Sequence, residues 1–356
     1  MAYIEMYKDK LAKNYNYLET LFSQNNIEWA VVTKLLCGSE LYLRELLKYD
    51  PTELCDSRVS NLKVIKSIDP DIQTVYIKPP AKGSIEDIVK YADVSFNTES
   101  ETIRLLSEEA KKQGKTHKVI IMIELGDLRE GIMGKDVTDF YGTVFELDNI
   151  EVTGIGTNLN CLHGVLPSQD KLIQLVLYKK LIDASFELEI PWVTGGTSVV
   201  IPLLLNKQIP DEVNHFRVGE ALFFGTNMLT NKPMEHMEQD VFKLYAEVIE
   251  ITEKPKVPIG YLAENPSGEM LEVNEDDYGK TSYRAILDIG LLDISTEFLI
   301  PEDPNISFVG ASSDMVVIDL GKTSRHYKVG DTISFKLKYM GALSLLNSDY
   351  VEQRLV

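Results

Sequence analysis

From the start of the chain to about residue 230, short apolar runs alternate with stretches whose apolar residues recur at spacings of three and four. The runs predict strands at Trp29–Lys34, Glu53–Ser57, Gln73–Lys78, Val94–Thr98, Lys118–Leu125, Val152–Leu159, Trp192–Val199 and Phe216–Phe224. Helical spacing lies between them, as in Leu41–Tyr49, Ile85–Tyr91, Thr102–Gln113 and Lys171–Leu188. This alternation predicts an α/β fold, a parallel (β/α)8 TIM-like barrel, with an open doubly wound sheet as the alternative. No GxGxxG follows the first strand, which counts against a dinucleotide-binding sheet.

After Asn231 the helical rhythm gives way to short strands and turns. Strands are predicted at Tyr245–Thr252, Thr281–Asp288, Ile306–Val309, Met315–Leu320 and Thr332–Leu337. Turn residues cluster between them, as in Glu264–Gly268 and Pro301–Asn305. The expected organisation is a barrel over residues 1–230 and a smaller, mainly-β domain over 231–356. Met1–Lys13 reads as helical and mixed in charge, without the apolar core of a signal peptide. No apolar run approaches the ~20 residues that span a bilayer.

Composition narrows the function classes. The net charge is -19, from 55 acidic and 36 basic residues. Such a surface repels a phosphate backbone, so nucleic acid is not expected as a partner. Three cysteines without CxxC spacing, Cys37, Cys55 and Cys161, suggest free thiols in a reducing, cytoplasmic setting. Five histidines without HxH or HExxH spacing give no support to a metal site.

A barrel carries its chemistry at the C-terminal ends of its strands. Lys34 ends the first predicted strand, and its stem is expected inside the barrel. A lone buried ammonium is costly, so such a lysine is neutralised, paired or used in Schiff-base chemistry, unless its head reaches water at the mouth. The seventh strand ends in Gly195-Gly196-Thr197-Ser198, which can present N–H and O–H groups to a phosphate or can be an ordinary turn. On the eighth, Arg217 stands in an apolar stretch and needs an acceptor: a ring nitrogen, an anion or a structural carboxylate. Strands one, seven and eight are neighbours in a closed barrel. A lysine beside a phosphate grip is what pyridoxal 5'-phosphate requires.

At these residues the chain resembles the alanine racemase family of barrel-type pyridoxal-phosphate enzymes, and within it the alanine/ornithine racemase branch. Ala30-Val31-Val32-Thr33-Lys34 is similar to the strand that ends in the cofactor lysine. Phe216-Arg217-Val218-Gly219-Glu220-Ala221 is similar to the segment whose arginine meets the pyridine nitrogen and whose glycine region contacts phosphate. Pro258-Ile259-Gly260-Tyr261 resembles the segment that carries the second acid/base. Ser312-Ser313-Asp314-Met315 stands where relatives read Ser-Met-Asp-Met, and Val329-Gly330-Asp331 matches a following turn.

The resemblance implies Lys34 and Tyr261 as the two bases. It implies Lys34, Asn158, Gly196, Thr197, Ser198, Arg217, Gly219, Glu220 and Tyr350 around the cofactor, and Arg129, Ser313 and Asp314 around the substrate. It also implies a head-to-tail homodimer in which Tyr261 serves the partner's site. Departures from the alanine enzymes are Gly38 in place of a phosphate-contacting tyrosine, Asn158 in place of a histidine, and Met122 in place of a lysine that some relatives carbamylate. They favour ornithine, or another basic amino acid such as lysine, over alanine. Asp276, Asp277 and Asp288 are among the carboxylates that could receive a distal ammonium. Alanine racemisation and a non-catalytic cofactor carrier stay open as alternatives. A decarboxylase or a metal-assisted aldolase on this fold would need cysteine and histidine clusters not found here.

Overall fold

The computed structural model describes residues 2–264, 268 and 270–356, with only the backbone of 323–325. The chain divides into two compact units. One is Tyr7–Val241; the other joins the segment ending at Met6 to Phe242–Val356. The second unit thus opens at Phe242 rather than at residue 231, and it takes the first strand as well. Among the described residues no helix is long and apolar enough to cross a membrane.

The first strand, β1 (Tyr3–Met6), corrects the expectation of a helix from Met1 to Lys13; the helix begins at Lys8 and runs to Ser23. Its strand character is dictated by pairing. Tyr3–Met6 lies antiparallel to a later strand and parallel to the last one. Period-two burial, with Ile4 and Met6 inward, follows from that.

The barrel comprises β2 (Glu28–Val32), β3 (Glu53–Asp56), β4 (Gln73–Tyr76), β5 (Val94–Asn97), β6 (His117–Met122), β7 (Ile150–Gly156), β8 (Trp192–Thr197) and β9 (His215–Val218). All are parallel neighbours, and β9 closes on β2. Ala30, Cys55, Val75, Val94, Phe96, Ile120 and Met122 pack together as a buried core cluster. Helices wrap the outside with one apolar face. In Ser100–Lys112 the buried Ile103, Leu106 and Ala110 recur at helical spacing.

The eighth predicted strand is half correct. Extended backbone stops at Val218, and Glu220–Phe224 is a short helix. The apolar run Ala221–Phe224 fits either state, and position decides. Gly219 turns the chain, and the Ser198 hydroxyl accepts the Ala221 N–H at 3.1 Å.

The second unit is an antiparallel sheet built on one long strand. After a small hairpin of β10 (Thr226–Asn227) and β11 (Lys232–Pro233) in the first unit come β12 (Phe242–Pro255), β13 (Thr281–Leu287), β14 (Leu299–Pro301), β15 (Ser307–Ala311), β16 (Val316–Asp319), β17 (Thr332–Leu337) and β18 (Glu352–Leu355). The order is β14-β17-β12-β13-β16-β15, with β1 between β12 and β18. β12 pairs β1 and β17 along its first half and β13 along its second.

Two buried polar devices in the barrel unit lend themselves to measurement. His117 is buried against the Ser95 hydroxyl at 2.8 Å. Burial, with the Lys115 charge adding to it, pushes its imidazole down to about 4. An unfolded chain protonates histidine near ~6.5. Between these values the unfolded state takes up a proton that the native state refuses, so stability is lost as pH drops through that window. The loss reaches about 3 kcal/mol and is absent above the upper limit. Urea unfolding of His117→Gln should show a flatter pH dependence than the parent between pH ~4 and ~6.5.

Gly38 follows the first barrel strand with φ of +79°, and a Cβ there would lie 2.9 Å from Asn61 Oδ1. Asn61 cannot yield easily, because its amide is bound to the buried Asp56 at 3.1 Å. Gly38→Ala should cost about 1–3 kcal/mol in the same assay; an unchanged midpoint would mean that the turn relaxes freely.

Candidate active site

Lys34 does not end a strand. β2 stops at Val32, and Lys34 sits on the following 3-10 turn, Thr33–Leu36, with its side chain exposed at the C-terminal end of the barrel. The expectation of a buried stem is therefore corrected: a short strand leaves the amine at the mouth. The turn is fastened from below. Thr33 Oγ1 donates to Asp56 Oδ2 at 2.9 Å, and Asp56 also accepts the Arg58 N–H. Burial holds the Asp56 carboxyl above its ordinary range although these donors oppose it.

The end of β9 adjoins that of β2, and the end of β8 adjoins that of β9. Thr197 closes β8, and Ser198 opens the turn beneath the helix that starts at Glu220. Gly196 is glycine for a packing reason, since a Cβ there would fall 2.2 Å from the Phe216 ring. Burial raises the Glu220 carboxyl, and the Lys34 charge works against that rise. A more easily neutralised acid is the kind a phosphate tolerates nearby.

Arg217 is 3% exposed and lies within the barrel, its guanidinium carbon 5.0 Å from the Phe96 ring centre. Nη1 donates to the Thr194 carbonyl at 2.8 Å and to its hydroxyl. Nη2 donates to the Thr157 carbonyl at 2.9 Å and to Asn158 Oδ1 at 2.6 Å. Every one of these acceptors is neutral. Burial pushes the guanidinium down to about 10. The Nε donor, outside these four bonds, suits an acceptor such as a ring nitrogen.

Asn158 thus takes the place beside Arg217, and its own amide donates to Glu130. Glu130 in turn holds the exposed Arg129 through one guanidinium edge, Nε and Nη2. The Arg129 fork faces a carboxylate of its own chain. The loop after Asn158 is held by the buried Asp127, which accepts the backbone N–H groups of Cys161, Leu162, His163 and Val165. Burial would raise its carboxyl, but these four bonds hold it below its ordinary value. Met122 packs in the barrel core.

In the second unit, Ser313, Asp314 and Tyr350 line one cavity of about 430 Å³ together with Asp288 and Asp293. Of the carboxylates marked in the sequence, Asp288 belongs to this cavity, whereas Asp277 pairs with Lys256 at 3.7 Å and Asp276 is exposed. Tyr261 is fully exposed on its loop.

The residues present suit pyridoxal phosphate: an amine at the mouth, hydroxyls and backbone N–H groups on the adjoining turn, and a buried guanidinium held by neutral acceptors. Sequence reasoning had missed Glu53, Thr194 and His215. Alternation from Arg217 back to His215 places both on one face of β9, which is the signal that was available.

The sequence profile described as "Alanine racemase, N-terminal domain" matches residues 7–227. The chain is 35% identical to an ornithine racemase of Acetoanaerobium sticklandii, over 98% of either chain. It is 28% identical to a lysine racemase of Thermotoga maritima, over 97% of this chain and 95% of the relative. Among solved structures, an alanine racemase of Bacillus anthracis superposes with a TM-score of 0.76 at 14% identity, covering 100% of this chain and 95% of that one. An alanine racemase of Clostridium difficile gives 0.74 at 17%, with the same coverage. The fold likeness and the extent of the sequence match agree: the chain belongs to the alanine racemase family, in its ornithine racemase branch.

Proposed function

We propose that this protein is a pyridoxal-phosphate-dependent racemase of basic amino acids, with ornithine as the preferred substrate. The observation that carries the reading is the convergence of Lys34, Ser198 and Arg217 on adjoining strand ends of one barrel. Kinship with an ornithine racemase and a lysine racemase supports the substrate class.

When bound, the cofactor supplies an electron-withdrawing ring that acidifies the substrate α-proton. The protein's part is to hold and move protons. Racemisation needs one base on each face of the α-carbon. Lys34 Nζ serves one face and Tyr261 Oη the other. The full exposure of Tyr261 on its own unit suits a group offered to the barrel of a second subunit, in a head-to-tail homodimer. Ser198, Thr197 and the backbone around Gly219 and Glu220 hold the phosphate. Arg217 donates a hydrogen bond without surrendering its proton, which limits charge withdrawal and disfavours side reactions. Arg129 receives the substrate carboxylate. The acidic cavity of Asp288, Asp293 and Asp314 offers carboxylates for a distal ammonium.

The test is α-proton exchange in heavy water, followed by NMR and chiral chromatography, with L- and D-ornithine, lysine and alanine. Exchange with inversion is expected, fastest for ornithine. Alanine as the fastest substrate would replace the ornithine reading. No exchange with any of the three despite bound cofactor would make the protein a carrier.

Lys34→Ala should abolish exchange and the visible absorbance of the bound cofactor together; retention of both would remove Lys34 from the mechanism. Tyr261→Phe should slow racemisation roughly a hundredfold or more, as loss of a general base does. Sedimentation should show the active species as a dimer, and an active monomer would contradict the shared site.

A further inference from the structure

A TIM-type barrel interior is ordinarily filled by branched apolar side chains. Here a polar chain runs through it. Glu53 opens β3 at 3% exposure, and His215 opens β9 at 0%. Glu53 Oε1 is bonded to His215 Nε2, and Glu53 Oε2 accepts the Gln73 amide at 3.0 Å. His215 Nδ1 lies 2.7 Å from Thr194 Oγ1, the same oxygen that receives Arg217 Nη1. Trp192 stacks on the imidazole at 4.8 Å and fixes its plane.

Proton bookkeeping gives this chain a direction. A guanidinium nitrogen can only donate, so Thr194 Oγ1 accepts from Arg217. The hydroxyl hydrogen of Thr194 is then available to His215 Nδ1, which acts as the acceptor. The ring's own proton sits on Nε2 and goes to Glu53. With the neutral Nε2–H tautomer every donor in this chain meets an acceptor. Burial disfavours ionised Glu53; the hydrogen bonds from His215 and Gln73 and the charge of Arg217 act in the opposite direction. Among the described residues Arg217 thus touches no carboxylate directly. It reaches Glu130 through Asn158, and Glu53 through Thr194 and His215.

We propose that Thr194, His215 and Glu53 form a positioning relay that fixes the orientation and charge of Arg217 from beneath the site. Its importance for the reaction rests on the reading that Arg217 faces the cofactor ring. A direct Arg–Glu pair would neutralise the guanidinium locally. The relay instead orients it with neutral acceptors and keeps the compensating charge two residues away.

The test compares Thr194→Val, which keeps the shape and loses the hydroxyl, with Thr194→Ser, which keeps the hydroxyl and loses the methyl. Glu53→Gln is a third variant that does not depend on Thr194. In 15N-labelled protein without cofactor, the ring nitrogens of His215 should report the Nε2–H tautomer. Thr194→Val should shift Nδ1 and speed exchange of the Arg217 Nη protons by roughly tenfold or more, the scale of one charge-assisted hydrogen bond. Glu53→Gln should shift Nε2, and Thr194→Ser should leave both nitrogens as in the parent.

In the loaded enzyme Thr194→Val should lower kcat roughly tenfold to a hundredfold with KM within about twofold, and move the cofactor's visible band. Thr194→Ser should retain both. Parental nitrogen spectra in Thr194→Val, or equal impairment in Thr194→Ser, would overturn the relay and leave a packing role. A wild type that binds no pyridoxal phosphate would overturn the functional reading instead. The cofactor-free spectra would still uphold or overturn the relay.

Discussion

A guanidinium in the middle of a barrel core is the constraint around which this molecule is arranged. Removing Arg217 from water without oriented acceptors would cost several kcal/mol. The surroundings supply those acceptors from two carbonyls, one hydroxyl and one amide, drawn from Thr194 within β8 and from the two residues that follow β7. The face of Phe96 takes another side of the charge. The irregular register of β8 between Thr194 and Gly196 fits this demand, because it lets both the carbonyl and the hydroxyl of Thr194 meet one nitrogen.

From that centre the mouth is organised by carboxylates that do not touch the reacting groups. Asp56 ties the Lys34 turn to the next helix, Asp127 gathers a loop by its backbone, and Glu130 joins Asn158 to Arg129. All three are structural anions in a strongly acidic chain. The net charge seen in the sequence therefore describes the exterior poorly as a guide to any one pocket: part of it is spent inside the barrel unit on backbone and amide donors.

Much of the barrel was legible because its strands are apolar runs between amphipathic helices, a pattern that survives without knowledge of tertiary contacts. The errors have one cause: an apolar or mixed segment whose state is set by a distant partner. Tyr3–Met6 is a strand because β12 and β18 lie beside it. Ala221–Phe224 is helical because Gly219 and Ser198 start a turn there. The site followed the same division. Lys34 and Arg217 stand out as charges within apolar runs. Glu53 and His215 sit at strand starts, where charged residues are commonplace, and only closure of the barrel makes them one network. Gly38 was readable as a departure from relatives, whereas the pressure of Asn61 that fixes it was not.

The pairing of β1 with β18 has a consequence for assembly during synthesis. Tyr3 stands opposite Glu352 and Met6 opposite Leu355, so β1 finds one edge partner only after the barrel unit and the rest of its own sheet have been made. Its other partner, β12, appears once the barrel unit has been made. Residues 7–241 can close their own core on the ribosome while β1 waits, its edge a template for mispairing. The order of events is thus written into the connectivity: the barrel closes before the sheet, and β1 completes a unit whose other strands are made after the barrel.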